Sequence, residues 1–325
     1  MSVVLALLTS GAVCGVLTPV VIVALRKAGT FDLPNDRSSH SHVLPRGGGI
    51  AIVVSVLVTA LVLGGRNSPA VQLLAVAVSL SILGFLDDRS GISPVARLGF
   101  QVLAGAAVGF VIGYATNHSA LLLILAVMVT VYGINAFNFM DGINGISGIH
   151  CALFAIVIGF ELVRLEDRDG GVVALALVGA GLAFLPYNFP RARIFLGDVG
   201  SYFIGGTLAA LAVYAVALGA SLVLVLSVFG YYIVDTATTI AVRIRERANI
   251  FEAHRDHLYQ LIVRSGRSHT LSAFVAFGLS LLGLASAVSA SRFLSVSAAL
   301  ALTFALMLVA VTVIRCRMTK LLVQR

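Results

Sequence analysis

Charge is what this chain most lacks. Of its 325 residues only 11% are charged, while 59% are hydrophobic and the mean hydropathy is +1.04. Soluble domains carry about 25% charged residues, so a water-facing coat cannot be assembled from this composition. Cysteine is scarce as well: Cys14, Cys151 and Cys316 fall in or beside apolar segments with no CxxC spacing, which argues against a disulfide framework or a zinc site. A basic leader and an A-x-A-like cleavage site are missing from the N-terminus, which therefore reads as a first span. A contiguous basic surface is missing too. The net charge is +8, but the basic residues sit in short loops between apolar runs, and this excludes a nucleic-acid partner.

What the chain has instead is apolar runs of 17 or more residues from end to end, each enough to cross a bilayer core of about 30 Å. Charged and Gly/Pro/Asn punctuation predicts an all-α, polytopic membrane protein with about eleven spans (ten if two fuse): 2–25, 48–65, 69–86, 98–115, 119–136, 146–163, 171–187, 200–218, 220–242, 270–289 and 293–314. The division within 200–242 is the least marked, but its length requires two spans. Loops following odd-numbered spans, with the C-terminal tail, hold 18 of the 22 Lys and Arg residues. Positive charge stays on the cytoplasmic side, so these loops are expected in the cytoplasm, the N-terminus in the periplasm and the C-terminus inside. No repeat or low-complexity linker divides residues 1–325, which read as one transmembrane domain.

The unusual polar clusters all fall in odd-numbered loops. Asp87 and Asp88 follow the apolar LSILGFL directly. Carboxylates at the edge of hydrocarbon need compensation, and adjacent ones repel unless a cation intervenes. Mg²⁺ held by carboxylates and substrate phosphates would meet both needs; the plainer alternative is a solvated pair capping the next helix, with Arg89 as counter-ion. Asn135, Asn138 and Asp141, spaced i, i+3, i+6, cover an arc of about 120° on a helix. They would form one polar stripe, or merely a helix C-terminus satisfied by Asn and Gly. Asp198, in FLGDVGS, suits either a helix N-cap or a metal ligand. His254 and His257 would share one face of a short helix near Arg255, Arg264 and Arg267, an arrangement suited to phosphate; zinc lacks a third ligand there. Asp235 lies inside the ninth span, where an acid is a functional candidate, ranked here below the loop acids because it can also snorkel toward the cytoplasm or pair with a loop arginine. Pro45-Arg46-Gly47-Gly48-Gly49 is no P-loop; its glycines offer N–H groups to an anion or permit close helix packing.

Five segments, FDLPNDRSSHSHVLPRGGGI, FLDDRSGISPVARL, NAFNFMDGING, FLGDVGS and HRDHLYQL, together resemble the polyprenyl-phosphate N-acetylhexosamine-1-phosphate transferase family. That family includes the translocase of peptidoglycan synthesis and the enzymes that start O-antigen and common-antigen chains. The segments occur in family order over nearly the whole chain, and the last is most similar to the O-antigen branch. The resemblance implies a Mg²⁺-dependent enzyme (Mn²⁺ serving in its place) at the cytoplasmic face of the inner membrane. It would transfer a sugar 1-phosphate from a UDP-N-acetylhexosamine to undecaprenyl phosphate within the membrane lipid and release UMP, starting an O-antigen or envelope polysaccharide; a homodimer is compatible with it. Asp87, Asp88 and Asp141 would be catalytic, Asp87 activating the lipid phosphate. Asp198 with Asp88 would hold the metal. Asn135, Asn138, His254 and His257 would bind the nucleotide sugar, and Arg46, Arg89, Arg97, Arg191 and Arg193 the phosphates. Two positions depart from the family pattern: Tyr259 and Gln260 stand where further histidines occur, and Asn144 where some members carry a second acid.

A secondary transporter is the alternative from another class, since intramembrane acids also mark ion paths. Here the acids gather at span ends, with only Asp235 deep. A CDP-alcohol phosphatidyltransferase would carry Ala-Arg after Asp-Gly, whereas Asp141-Gly142 is followed by Ile-Asn-Gly-Ile.

Overall fold

The computed structural model describes residues 2–32, 43–116, 120–249 and 254–324. Much of loop one (33–42) and the head of loop nine (250–253) lie outside the described residues. The helices in chain order are α1 (Ser2–Lys27), α2 (Gly49–Leu63), α3 (Pro69–Ser90), α4 (Pro94–Thr116), α5 (Ala120–Met140), α6 (Ile146–Arg164) and α7 (Arg168–Asn188). They continue with α8 (Asp198–Ala217), α9 (Leu222–Val228), α10 (Gly230–Arg245), α11 (Leu258–Arg264), α12 (His269–Ala290) and α13 (Val296–Val323). Two-residue strands β1 (Phe31–Asp32) and β2 (Leu44–Pro45) pair antiparallel.

Among the described residues, nine helices are long and apolar enough to cross a membrane, or ten when α9 and α10 count as one span bent by 58°. Each predicted span finds a helix, but two differ from expectation. The second, α2, has 15 residues, short of the roughly 20 a span needs, because Gly64 ends it early. The ninth breaks at Phe229. Two of the candidate acids also sit further into a helix than the loop assignment placed them: α3 runs on through Asp87 and Asp88 before Gly91, at φ +64°, closes it. A left-handed glycine is the usual way to end a helix. At its other end Ser68 accepts a hydrogen bond from the Val71 N–H, with Pro69 in the first turn, where proline's missing N–H costs nothing.

The chain divides into two compact units: residues 2–32, 43–141 and 147–221 in one, residues 142–146 and 222–324 in the other. In the first, α8 is packed by α3, α5 and α2, and α1 by α7 and α2. Every residue of α8 from Val199 to Ala215 is buried, which its many small residues allow by letting neighbouring backbones approach closely. A Cβ on Gly84 would fall on the Asp198 carbonyl, and one on Gly49 on the Gly200 backbone. Large apolar side chains such as Val16, Leu103 and Phe110 are meanwhile exposed on α1 and α4, as lipid-facing surfaces should be. In the second unit α12 packs on α13 and α9, and α10 on α13.

Within the first unit the helix ends sort into two sets. Arg168 at the start of α7 donates to Leu63 O at 2.9 Å and to Ser2 Oγ at 3.0 Å. Glu161, near the end of α6, accepts from Ser221 N at 2.9 Å. The second, sixth and eighth connections thus share one end of this unit, and the clusters described next share the other.

Candidate active site

Four of the five polar clusters contribute described residues to the first unit, and the structure brings residues of all four together. Arg46 comes from the residues just before α2, Asp88 from the last turn of α3, Asn138 from the last turn of α5, and Asp198 from the first turn of α8. The Arg46 guanidinium lies 2.7 Å from Asp88 Oδ1 through Nε and 2.9 Å from Asp198 Oδ1 through Nη2. Its Nη1 is 3.7 Å from Asp32. Burial favours the neutral form of Arg46, but Asp198, Asp88 and Asp32 together hold its pKa above the ordinary value. Asn138 donates to Asp198 Oδ1 and to Ser201 Oγ, each at 3.0 Å. Val199 N, at the open end of α8, donates to Asp88 Oδ2 at 3.2 Å, so Asp88 takes up one of the N–H groups a helix start leaves unpaired. Gly197 precedes that turn at φ +76°, and a Cβ there would sit 2.8 Å from Asp88 Oδ2.

Asp87 turns to the other side of α3. Its Oδ1 accepts from Ile92 N at 2.7 Å, and its Oδ2 from Arg97 at 2.9 Å and Tyr202 Oη at 3.0 Å. Both oxygens are engaged, so the side chain serves as an anchor for Arg97. Asp141 lies just past α5, half-buried, accepting from Ser147 Oγ at 2.5 Å. Burial raises its carboxyl to about 7 despite that hydrogen bond, and Asp198 adds to the rise.

Several expectations are corrected here. Asn135 does not join the stripe: it donates to Gln101 Oε1 at 2.6 Å, on α4, so the polar stripe fans out over two neighbours. The counter-ion of Asp88 is Arg46, not the adjacent Arg89, which is exposed with its guanidinium 5.3 Å from the centroid of the Phe85 ring. Arg191 and Arg193 are exposed, with no ion pair among the described residues. Gly197, not Asp198, is the N-cap of α8. The glycine run is used for packing: Gly47 and Gly48 N–H donate to Phe195 O, and Gly49 N–H to Leu196 O, leaving none for an anion.

Loop nine belongs to the second unit. His254 precedes α11 and His257 is its N-cap, so the two do not share a helix face as expected; their ring centroids are 5.1 Å apart. Burial, with His257 and Arg243 nearby, lowers His254 to about 4, leaving it neutral at pH 7 and without the charge a phosphate contact would favour. His257 Nδ1 is 3.2 Å from Asp235 Oδ2. Asp235 Oδ1 accepts from Leu258 N and from Arg315, each at 2.9 Å. Asp235 does pair with an arginine, but with Arg315 inside α13 and not with a loop arginine as expected.

Gln101, Ser147, Tyr202 and Arg315 did not emerge from the sequence. Gln101 and Arg315 carried a usable signal, each a polar residue in an apolar helix. Tyr202, four residues after Asp198, lies near the same face of α8.

Among the described residues, no three His, Cys, Asp or Glu side chains are grouped to enclose a metal. The pair Asp88–Asp198 fits a different pattern, in which Mg²⁺ takes one or two carboxylates and completes its shell with water and phosphate. Asp88 Oδ1 is buried and accepts no hydrogen bond, its contact with Arg46 lacking the alignment. The donors are all hard oxygens, so these residues fit the ion.

A bundle of membrane-crossing helices with acids and arginines joined at one end of its first unit describes a polytopic membrane protein with a charged cluster at its helix ends. Residues 70–216 match the family described as "Glycosyl transferase family 4", a stretch that holds every acid of this cluster except Asp32. The chain is 31% identical over 307 residues to the decaprenyl-phosphate N-acetylglucosaminephosphotransferase of Mycobacterium leprae (strain TN), covering 78% of this chain and 76% of that one. It is 30% identical over 233 residues to the phospho-N-acetylmuramoyl-pentapeptide-transferase of Symbiobacterium thermophilum, covering 61% and 69%. The chain belongs to the polyprenyl-phosphate N-acetylhexosamine-1-phosphate transferase family.

Proposed function

We propose that this protein transfers an N-acetylhexosamine 1-phosphate from its UDP-sugar to undecaprenyl phosphate, at the cytoplasmic face of the inner membrane, as the first step of an envelope polysaccharide. The observation that carries the reading is the joining of Asp88, Asp198 and Arg46, from α3, α8 and the residues before α2, at one end of the membrane-crossing helices. A lipid acceptor fits that placement, because its prenyl chain can remain in the bilayer while its phosphate reaches the helix ends.

A phosphate oxygen of the lipid forms a bond to the β-phosphorus of the UDP-sugar, and the bond from that phosphorus to the oxygen bridging to UMP breaks. The products are UMP and a polyprenyl pyrophosphoryl sugar. Such transfers depend on positioning and on neutralising charge over the phosphoryl oxygens. Asp88 and Asp198 would hold Mg²⁺, which when bound supplies that neutralising charge. Arg97, held by Asp87 and Tyr202, provides an aligned fork for phosphate. A phosphate monoester loses its second proton near pH 6, so a fraction of the acceptor arrives protonated at neutral pH. Asp141, poised at about 7, takes that proton. The transporter alternative has no support from the relatives, whose names denote transferases.

The test is UMP release by detergent-purified protein given polyprenyl phosphate and a panel of UDP-N-acetylhexosamines. Asp198→Asn should lower turnover by about a hundredfold or more, the scale of losing one charge-stabilising group. Full Mg²⁺-dependent activity in that variant would overturn the metal assignment, and uptake of substrate without UMP release would overturn the enzyme.

A further inference from the structure

Arg46 stands where a divalent cation would have to stand. Its Nε and Nη2 address Asp88 Oδ1 and Asp198 Oδ1, so that one guanidinium spans one oxygen of each carboxylate. Asp88 is 3% exposed and Asp198 16%, whereas the Arg46 side chain is 35% exposed. Asp88 is held through its other oxygen by Val199 N, Asp198 Oδ1 is shared between Asn138 and Arg46, and the guanidinium belongs to the most exposed of the three charged side chains. The root of the arginine is also fixed. Arg46 N donates to Thr30 O at 3.3 Å, and the next three residues are tied to Phe195 and Leu196 through their N–H groups. Only the flexible stem and head of the side chain are free to leave.

We infer that Arg46 is a built-in counter-ion that competes with the divalent cation for Asp88 and Asp198 and, once displaced, offers its fork to substrate phosphate. This rests on the reading of those two carboxylates as the metal-holding pair. Two cations cannot share the same two oxygens, since like charges at such separations repel strongly in a partly buried site. The guanidinium keeps the acids compensated until metal arrives. Metal loading then releases a planar donor set that matches phosphate bidentately, so filling the metal site and readying the anion site become one event. A competitor that occupies the site lowers apparent affinity by the fraction of molecules it blocks.

The experiment uses the full-length protein in detergent, without substrates, and Mn²⁺ as the probe, its free concentration read by electron paramagnetic resonance. Arg46→Gln should bind Mn²⁺ about tenfold or more tightly than wild type, by removal of the blocking charge, and Arg46→Lys should fall between. Asp198→Asn should lose Mn²⁺ binding. Unchanged or weaker binding in Arg46→Gln, alongside loss in Asp198→Asn, overturns the competition and leaves the metal assignment standing. No Mn²⁺ binding by wild type overturns both. Because Arg46→Gln leaves two acids uncompensated and can fail to fold, the wild type supplies a second measurement. Phenylglyoxal modification of Arg46, followed by peptide mass mapping, should speed up several-fold on adding Mn²⁺, and a constant rate overturns the inference.

Discussion

At the scale of the residue, the site is a matter of which charge faces which. Asp141 is the acid whose surroundings change it most usefully. Its folded pKa of about 7 lies above the ordinary carboxylate value of 3.8, so the fold favours the protonated form. Below about pH 4 the group is protonated folded and unfolded alike. As pH rises from there to 7 the unfolded chain ionises first, and the folded state loses stability until both forms are ionised. Asp141→Asn escapes that loss. Its unfolding midpoint in detergent should therefore gain on wild type between pH 5 and pH 7 and level off above about pH 8; a gap independent of pH would refute the raised carboxyl. The acids themselves were legible in the sequence, because a carboxylate at the edge of an apolar run is conspicuous. Their partners were not. Asp88 pairs with Arg46, far upstream, while its sequence neighbour Arg89 turns away onto Phe85. Helix geometry explains it: adjacent residues point in directions about 100° apart, so Asp87, Asp88 and Arg89 cannot share a neighbour.

At the scale of the element, the second unit is tied together by one buried ion pair. Asp235 on α10 is fully buried and joins the N–H at the start of α11, His257 and Arg315 of α13. Removing one member strands the other's charge away from water. Arg315→Met should destabilise the protein by about 3–5 kcal/mol, the cost of breaking a buried pair from one side. The double variant Asp235→Asn/Arg315→Met removes both charges and should recover most of that loss, since an apolar or neutral replacement of a buried pair is often tolerated. Comparing denaturant midpoints of the two variants decides it, and equal instability in both would show that the pair is not what links α10, α11 and α13. Hydropathy located α12 and α13, because 20-residue apolar runs have few other solutions in lipid. It missed the break between α9 and α10. No proline marks Phe229–Gly230, and the apolar run continues through it, so nothing in a composition window registers the bend. It missed the role of Arg315 for a related reason: a basic residue near a helix end looks the same whether it reaches water or a buried acid.

At the scale of the whole molecule, the proposed chemistry requires that the end of the first unit carrying Arg46, Asp88, Asn138 and Asp198 face the cytoplasm, where nucleotide sugars are made. Two independent features agree on which helix ends belong together. Eighteen of the 22 Lys and Arg residues fall in the odd-numbered loops and tail as the sequence divides them, and the contacts within this unit join residues of odd connections at one end and of even connections at the other. By the charge bias the odd end is expected inside, which labelling can test. Arg66 and Arg193 are exposed and belong to opposite sets, which makes them suitable reporters. Cys316 is exposed and Cys14 and Cys151 are buried, so replacing Cys316 by serine leaves a background with little reactivity toward a bulky reagent. In that background, Arg66→Cys should react with a membrane-impermeant maleimide on intact cells. Arg193→Cys should react only after the membrane is opened. Labelling of Arg193→Cys from outside would put the acids in the periplasm, away from UDP-sugars, and the proposed reaction could not occur there.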